Sequence, residues 1–202
     1  MHAKEYFDDI AECWDNEFEF HLVARNAAAL VSGAASGAYM LDIGCGTGEM
    51  FAPLLDAGAS EITGVDISER MIEYAEGKIG FDPRISLHCC DILDFDEPGY
   101  DAAIMFDAYQ FIQDKTAFIN KIHSLLRPKG RFTVAFGFGR ERINSYSMLV
   151  PDGLAVQLHP AANEKKAWEH LFDVDIICDT PELYMISGLA RELPRQVSRQ
   201  AI

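Results

Sequence analysis

Positive charge is scarce in this chain. Seventeen lysines and arginines stand against 32 aspartates and glutamates in 202 residues, a formal charge of −15 with a pI near 4.7. Such a field repels phosphate backbones, so a nucleic-acid substrate is not expected. The one basic cluster, ARELPRQVSRQAI with Arg191, Arg195 and Arg199, reads as a solvated tail. Long apolar runs are missing too. No window approaches a membrane span, and MHAKEYFDDI lacks a signal-peptide pattern, so no membrane partner is expected. The five cysteines, Cys13, Cys45, Cys89, Cys90 and Cys178, are odd in number and include no CxxC pair. Neither a disulfide framework nor a zinc site follows, and a cytoplasmic, reducing setting fits. The neighbours Cys89 and Cys90 point to opposite sides of a strand and read as core thiols. The six histidines show no HxH or HxxxH spacing, which argues against a metal. No repeat, low-complexity tract or linker divides the chain, and its length suits one domain with a sizeable core.

What is present is alternation. Two amphipathic segments open the chain: AKEYFDDIAECWDNEF, with Tyr6, Phe7, Ile10 and Trp14 at helical spacing, and the alanine-rich HLVARNAAALVSGAA, which Gly33 and Gly37 end. Strands are expected at AYMLDI, EITGVDI, RISLHCCDI, YDAAIMFDAY and RFTVAFGFG. Helices are expected at GEMFAPLLDAGA, at SERMIEYAEGK with Ser68 as N-cap, and at KTAFINKIHSLLRPKG, stopped by Pro128 and Gly130. This spacing predicts an α/β fold, an open and mostly parallel sheet with helices on both faces. FDVDIICD and LYMISGLAR, separated only by TPE, predict an antiparallel hairpin at the sheet edge.

The stretch MLDIGCGTGEM concentrates the chemistry. Gly44, Gly46 and Gly48 follow the first strand, which ends in the carboxylate of Asp42. In a doubly wound sheet that turn is where ligands bind, and a helix starting near Thr47 offers free N–H groups. Asp66 ends the second strand eighteen residues after Gly48, placed to accept both hydroxyls of a ribose. A dinucleotide fingerprint needs G-x-G-x-x-G, and its last position here is Glu49. A cationic ligand without phosphate, such as S-adenosylmethionine, suits Asp42, Glu49 and Asp66 better than a pyrophosphate does.

LDIGCGTGEM, ITGVDISERMIEYA, ISLHCCDILDFD, YDAAIMFDAYQFI and LLRPKGRFTVAF resemble, in order, the motifs of the class I S-adenosylmethionine-dependent methyltransferases. The resemblance runs from about Ala38 to Arg191 and is nearest in flavour to small bacterial ubiquinone- and menaquinone-pathway enzymes. It implies a Rossmann-like, doubly wound sheet of seven strands in one domain. Residues 1–37 would be a helical cover, 38–137 the cofactor-binding core, 138–162 a lid-like insertion, 163–191 a C-terminal helix and hairpin, and 192–202 a tail. It implies that Asp42, Gly44, Cys45 and Gly46 surround the methionine portion of S-adenosylmethionine and that Asp66 holds the ribose. Ile67 and Met71 would lie against the adenine, with Asp91 accepting from its amino group and Ile92 beside it. Phe106 would face the methionine end. Asp91 also reads as a cap for the turn that follows, and Ile67 and Met71 as ordinary core residues.

The resemblance names no general base. FDAYQF replaces the asparagine–proline signature of amino-group methylation, and the histidine that many relatives carry in this window is absent. Asp107, Tyr109 and Gln110 are the catalytic candidates, with Tyr109 equally readable as packing, and His21 and Tyr146 follow on position alone. The expected activity is methyl transfer to a small-molecule acceptor. The alternatives are a non-catalytic protein that binds S-adenosylmethionine or S-adenosylhomocysteine and, disfavoured by Glu49, an NAD-dependent oxidoreductase. Oligomeric state is not legible.

Overall fold

The computed structural model describes residues 2–17, 22–35 and 37–192. Seven strands form one sheet: β1 (Ala38–Ile43), β2 (Ala59–Asp66), β3 (Ile85–Cys89), β4 (Tyr100–Phe106), β5 (Leu126–Phe136), β6 (Phe172–Asp179) and β7 (Tyr184–Ala190). Their order is β3-β2-β1-β4-β5-β7-β6. All pairs are parallel except those of β7, which runs antiparallel to β5 and β6. The expected edge hairpin is therefore present, with β7 inside and β6 on the rim.

Around the sheet lie α1 (Ala3–Ile10), α2 (Trp14–Glu17), α3 (Leu22–Val31), α4 (Phe51–Ala57), α5 (Glu69–Ile79), α6 (Lys115–Leu125), α7 (Arg140–Ser147) and α8 (Ala161–Trp168). Alternate residues of β1 serve opposite layers, as the pleat requires. Met40 joins Phe51, Leu54 and Ile72 on one face, while Leu41 and Ile43 join Phe118, Ile122 and Trp168 on the other. Trp168 lies flat on Phe132, with ring centroids 3.8 Å apart and planes 2° apart. Each such buried side chain contributes roughly 1.5–3 kcal/mol.

Several boundaries differ from the sequence expectation. The helix after the glycine loop starts at Phe51 and not near Thr47, because residues 47–50 form a turn in which Gly48 N–H bonds to Cys45 O at 2.9 Å. The helix expected to reach Pro128 ends at Leu125, since Leu126 and Arg127 already prepare for the proline. Leu126 pairs with Tyr100, residues 127–130 bulge out through Lys129 at φ 63°, and pairing resumes at Arg131. Ser68 caps α5 as expected, its Oγ accepting Met71 N–H at 3.1 Å. The first amphipathic segment is broken by a short 3-10 turn at Ala11–Cys13. Cys89 is exposed and is not the core thiol expected, because β3 is an edge strand. No helix among the described residues is long and apolar enough to cross a membrane.

The stretch 138–162 is more structured than a loop. It holds α7, the first residues of α8, and a linker fastened by Asn144, whose side chain bonds Leu158 O at 3.1 Å and Leu158 N–H at 2.8 Å.

Candidate functional site

The strand order reverses at β1, which lies between β2 and β4. A cavity opens there at the C-terminal strand ends, where the general rule for doubly wound sheets places a ligand. All ten residues assigned to the cofactor by resemblance meet in its wall: Asp42 near the end of β1 with Gly44, Cys45 and Gly46 after it, Asp66 at the end of β2 with Ile67 and Met71 after it, Asp91 and Ile92 after β3, and Phe106 at the end of β4.

The three glycines of the loop all have positive φ. Gly44 and Gly46 face the cavity, and a Cβ on Gly44 would stand 3.0 Å from that of Ala108. Gly48 has a different reason: a Cβ there would strike the Phe51 ring at 2.5 Å. It serves core packing.

Asp42 is the most unusual group. It is 1% exposed, and among the described residues its Oδ2 has no hydrogen-bond partner. Burial, and after it the nearby charge of Asp66, push its pKa up to about 8. Asp66 is also raised by burial, against the pull of its hydrogen bonds. Its Oδ2 accepts Gly46 N–H and its Oδ1 accepts Ser68 N–H, both at 2.8 Å. The carboxylate thus ties the glycine loop to the cap of α5 while lining the cavity. Burial drives the Cys45 thiol well above its usual value, so it stays protonated. Asp91 has both readings at once: it lines the cavity, and its Oδ1 accepts Leu93 N–H at 2.9 Å in a local turn.

Glu49 departs from expectation. Its carboxylate pairs with Arg25 of α3 and, at 2.9 Å, with Lys78 of α5. A paired acid offers little field to a ligand, so the argument for a cationic ligand passes to Asp42 and Asp66. The same lysine holds Asp15 at 2.5 Å and Thr47 Oγ1 at 2.8 Å, and Thr47 donates to Asp15 at 2.6 Å. This network staples the N-terminal segment to the glycine loop. At its other end Ser68 donates to Asp8 at 2.6 Å. Burial raises the Asp8 pKa, but hydrogen bonds from Ser68, Lys4 and the Arg70 N–H outweigh it and leave the value at about 2. Phe7 and Trp14 consequently form part of the cavity wall.

The catalytic candidates separate. Asp107 stands where this cavity meets a second one, at φ 55°, with its Oδ1 accepting Gly137 N–H at 2.8 Å. A non-glycine residue at positive φ is costly and concentrates at functional sites. Gln110 lines the second cavity. Tyr109 lines neither; it is fully buried, and its hydroxyl donates to Glu164 at 3.1 Å. Its ring packs against Phe118 and Trp168 under the Lys115 ammonium, and burial pushes the phenol far up. It is a core residue and leaves the catalytic list. Tyr146 lines the second cavity, whereas His21, Arg195 and Arg199 lie outside the described residues. Sequence reasoning missed Arg25, Met105 and Phe111 in the first wall. Arg25 sits in an alanine-rich helix, where nothing local marks it as a wall residue.

A methyltransferase-domain family profile matches residues 40–130. The chain is 29% identical over 106 residues to the O-methyltransferase cnsE of Penicillium expansum, spanning 50% of this chain and 38% of that protein. It is 30% identical over 111 residues to the demethylmenaquinone methyltransferase of Tropheryma whipplei, spanning 54% of this chain and 46% of that protein. The chain thus spans less than half the length of these two curated relatives. Among solved structures, a Haloferax volcanii methyltransferase determined in complex with the Trm112 methyltransferase activator superposes with a TM-score of 0.80 at 18% identity, covering 95% of this chain and 98% of that one. The N-methyltransferase NodS of Bradyrhizobium japonicum, solved with S-adenosylhomocysteine, gives a TM-score of 0.71 at 15% identity, covering 92% and 99%. At such identities the superpositions speak for the fold alone. Residues 40–130, somewhat less than half of the chain, match a methyltransferase domain, and over about half of its length the chain is similar in sequence to proteins named as methyltransferases.

Proposed function

We propose that the protein transfers the methyl group of S-adenosylmethionine to a small-molecule acceptor. The observation that carries the reading is the pair of buried carboxylates, Asp42 and Asp66, against Gly44 and Gly46 in a wall otherwise rich in apolar side chains. The unpartnered Asp42 Oδ2 calls for a donor, and a ligand ammonium supplies one with a compensating charge. A dinucleotide would instead set its pyrophosphate against these acids. The residues therefore fit S-adenosylmethionine, which when bound supplies a methyl group on a positively charged sulfur. In this reading Asp42, Gly44 and Gly46 hold its amino-acid end and Asp66 its ribose. Ile67, Met71 and Ile92 give the adenine an apolar slot, with Asp91 at the edge.

The protein's remaining task is alignment and exclusion of water. Asp107 stands in the walls of both cavities, so it is the group placed to orient an acceptor and take a proton from it. A cytoplasmic setting belongs to the same reading, supported by five free cysteines. A non-catalytic binder of the same ligand is the second reading, favoured by the loss of Tyr109 from the catalytic candidates.

Calorimetry with S-adenosylhomocysteine and NAD tests the site, and transfer of labelled methyl to a panel of small acceptors tests the catalysis. The first ligand is expected to bind and NAD not to; tight NAD binding alone would end the reading. Asp66→Ala is expected to weaken S-adenosylhomocysteine about 10- to 100-fold, the loss of a charged hydrogen bond of roughly 1.5–3 kcal/mol. It also releases the Gly46 and Ser68 N–H groups, so the thermal midpoint is expected to fall with it. Unchanged affinity in the folded variant would move the ribose elsewhere.

A further inference from the structure

The second cavity, of about 630 Å³, shares Trp14, Asp107 and Phe111 with the first. Among the described residues six rings face it: Tyr6, Trp14, Phe111, Phe136, Phe138 and Tyr146. Neighbouring rings hold them in place. Phe111 meets Phe7 edge-on at 4.8 Å, Phe136 meets Tyr184 at 5.9 Å, and Phe138 and Tyr146 lie tilted at 6.3 Å. A wall of fixed ring faces and edges discriminates by flatness, because planar π-systems stack on it and puckered skeletons of equal area do not.

Charge is balanced around this wall. Among the described residues Asp107 is the one charged side chain in it, and its field is opposed by Arg25. Arg142 sits 3.4 Å over the Phe138 ring and donates to the Tyr146 hydroxyl at 3.2 Å. An anionic ligand meets Asp107 directly, while a cationic one gains little from Asp107, whose field Arg25 offsets, and meets the Arg142 guanidinium beside the Phe138 ring. The entrance is apolar as well: Leu149 in the wall is 80% exposed and its neighbour Met148 is 74% exposed. The volume lies within the roughly 300–1,000 Å³ typical of small-ligand pockets, room for about two or three fused rings.

We propose that this cavity binds uncharged, planar aromatic molecules of that size and that these are the methyl acceptors. The second half rests on the methyltransferase reading; the first does not.

The test is calorimetry on the full chain, with and without saturating S-adenosylhomocysteine, using four probes on related skeletons. These are 2-naphthol, its saturated counterpart trans-2-decalol, the anion 2-naphthoate and the cation 2-naphthylmethylammonium. The expected result is 2-naphthol binding about tenfold or more tighter than each of the others. Tyr146→Ala, at a half-exposed position that the fold tolerates, is expected to weaken 2-naphthol about fivefold and to leave S-adenosylhomocysteine affinity unchanged. Equal or tighter binding of decalol or of either ion overturns the proposal, as does absence of 2-naphthol binding. If S-adenosylhomocysteine fails to bind while 2-naphthol binds with this selectivity, the methyltransferase reading falls and the aromatic site stands. The reverse pattern removes the aromatic site and keeps the cofactor site.

Discussion

Affinity for S-adenosylhomocysteine is expected to rise with pH, by about 50-fold between pH ~6 and ~8, and then to level off. The cause is Asp42, whose pKa burial and then Asp66 push up to about 8. Below that pH the free protein holds a neutral carboxylic acid, whereas a ligand ammonium asks for the carboxylate. Binding must release the proton, and each pH unit below 8 then costs about a factor of ten. The stability of the ligand-free fold runs the other way. A carboxyl raised in the folded state contributes stability that is complete below the unfolded value of 3.8 and lost as pH rises through about 8. Of the groups facing Asp42, Cys45 is raised well above its usual value and keeps its proton. Asp66 is raised by burial in the same direction, against the pull of the Gly46 and Ser68 N–H groups, and adds to the slope. Asp42→Asn separates the two acids: it is expected to bind weakly and to lose the Asp42 part of the rise. Calorimetry at four pH values, in buffers of different ionisation enthalpy, reads both affinity and proton release. A flat profile in the native protein would mean that Asp42 ionises without the ligand or never meets it.

Much of this site was legible because strand ends are legible. Once β1, β2, β3 and β4 are recognised from their hydrophobic runs, parallel pairing brings Asp42, Asp66, Asp91 and Phe106 to one edge of the sheet whatever the details. The glycines read correctly as a sharp turn, yet sequence alone did not separate Gly44 and Gly46, which face a cavity, from Gly48, which makes room for Phe51 three residues on.

What failed to show was side-chain direction and pairing. Tyr109 sits two residues beyond the strained Asp107, and the short 3-10 turn at Tyr109–Phe111 rotates it into the core while Phe111 reaches both cavities. No periodicity argument covers a three-residue turn. Glu49 read as a free acid because its partners, Arg25 and Lys78, are 24 and 29 residues away and meet it only in the fold. Ion pairs between distant segments leave no mark in a local window. Arg25 entered the wall in the same way, from a helix whose alanines suggested nothing beyond packing.

Removal of residues 1–15 is expected to weaken S-adenosylhomocysteine about 30- to 150-fold while lowering the thermal midpoint little. The N-terminal segment is built to cover and not to support: α1 contains no fully buried residue. Yet it brings Phe7 and Trp14 into the cavity wall, with Trp14 Nε1 standing 3.6 Å from where a Cβ on Gly46 would be. If the two rings together remove about 100 Å² of apolar surface from water against the ligand, the contribution is roughly 2–3 kcal/mol, which sets the expected loss. The segment is also expected to move, because with it docked the first cavity measures about 200 Å³, below the roughly 300–1,000 Å³ of typical ligand pockets. The staple suits such a hinge, because Lys78 and Asp15 are 36% and 39% exposed and their pair is open to screening by salt. Lys78→Met is accordingly expected to speed ligand release a few-fold with little change in stability, since exposed ion pairs contribute about 0.2–1 kcal/mol. Trp14 emission in stopped flow reads the motion directly. Its control is Trp14→Phe, because Trp168 is fully buried against Phe132 and replacing it would disturb the core. A truncated chain that binds as tightly as the whole one, with Trp14 emission indifferent to ligand, would leave α1 as packing and place the cover elsewhere.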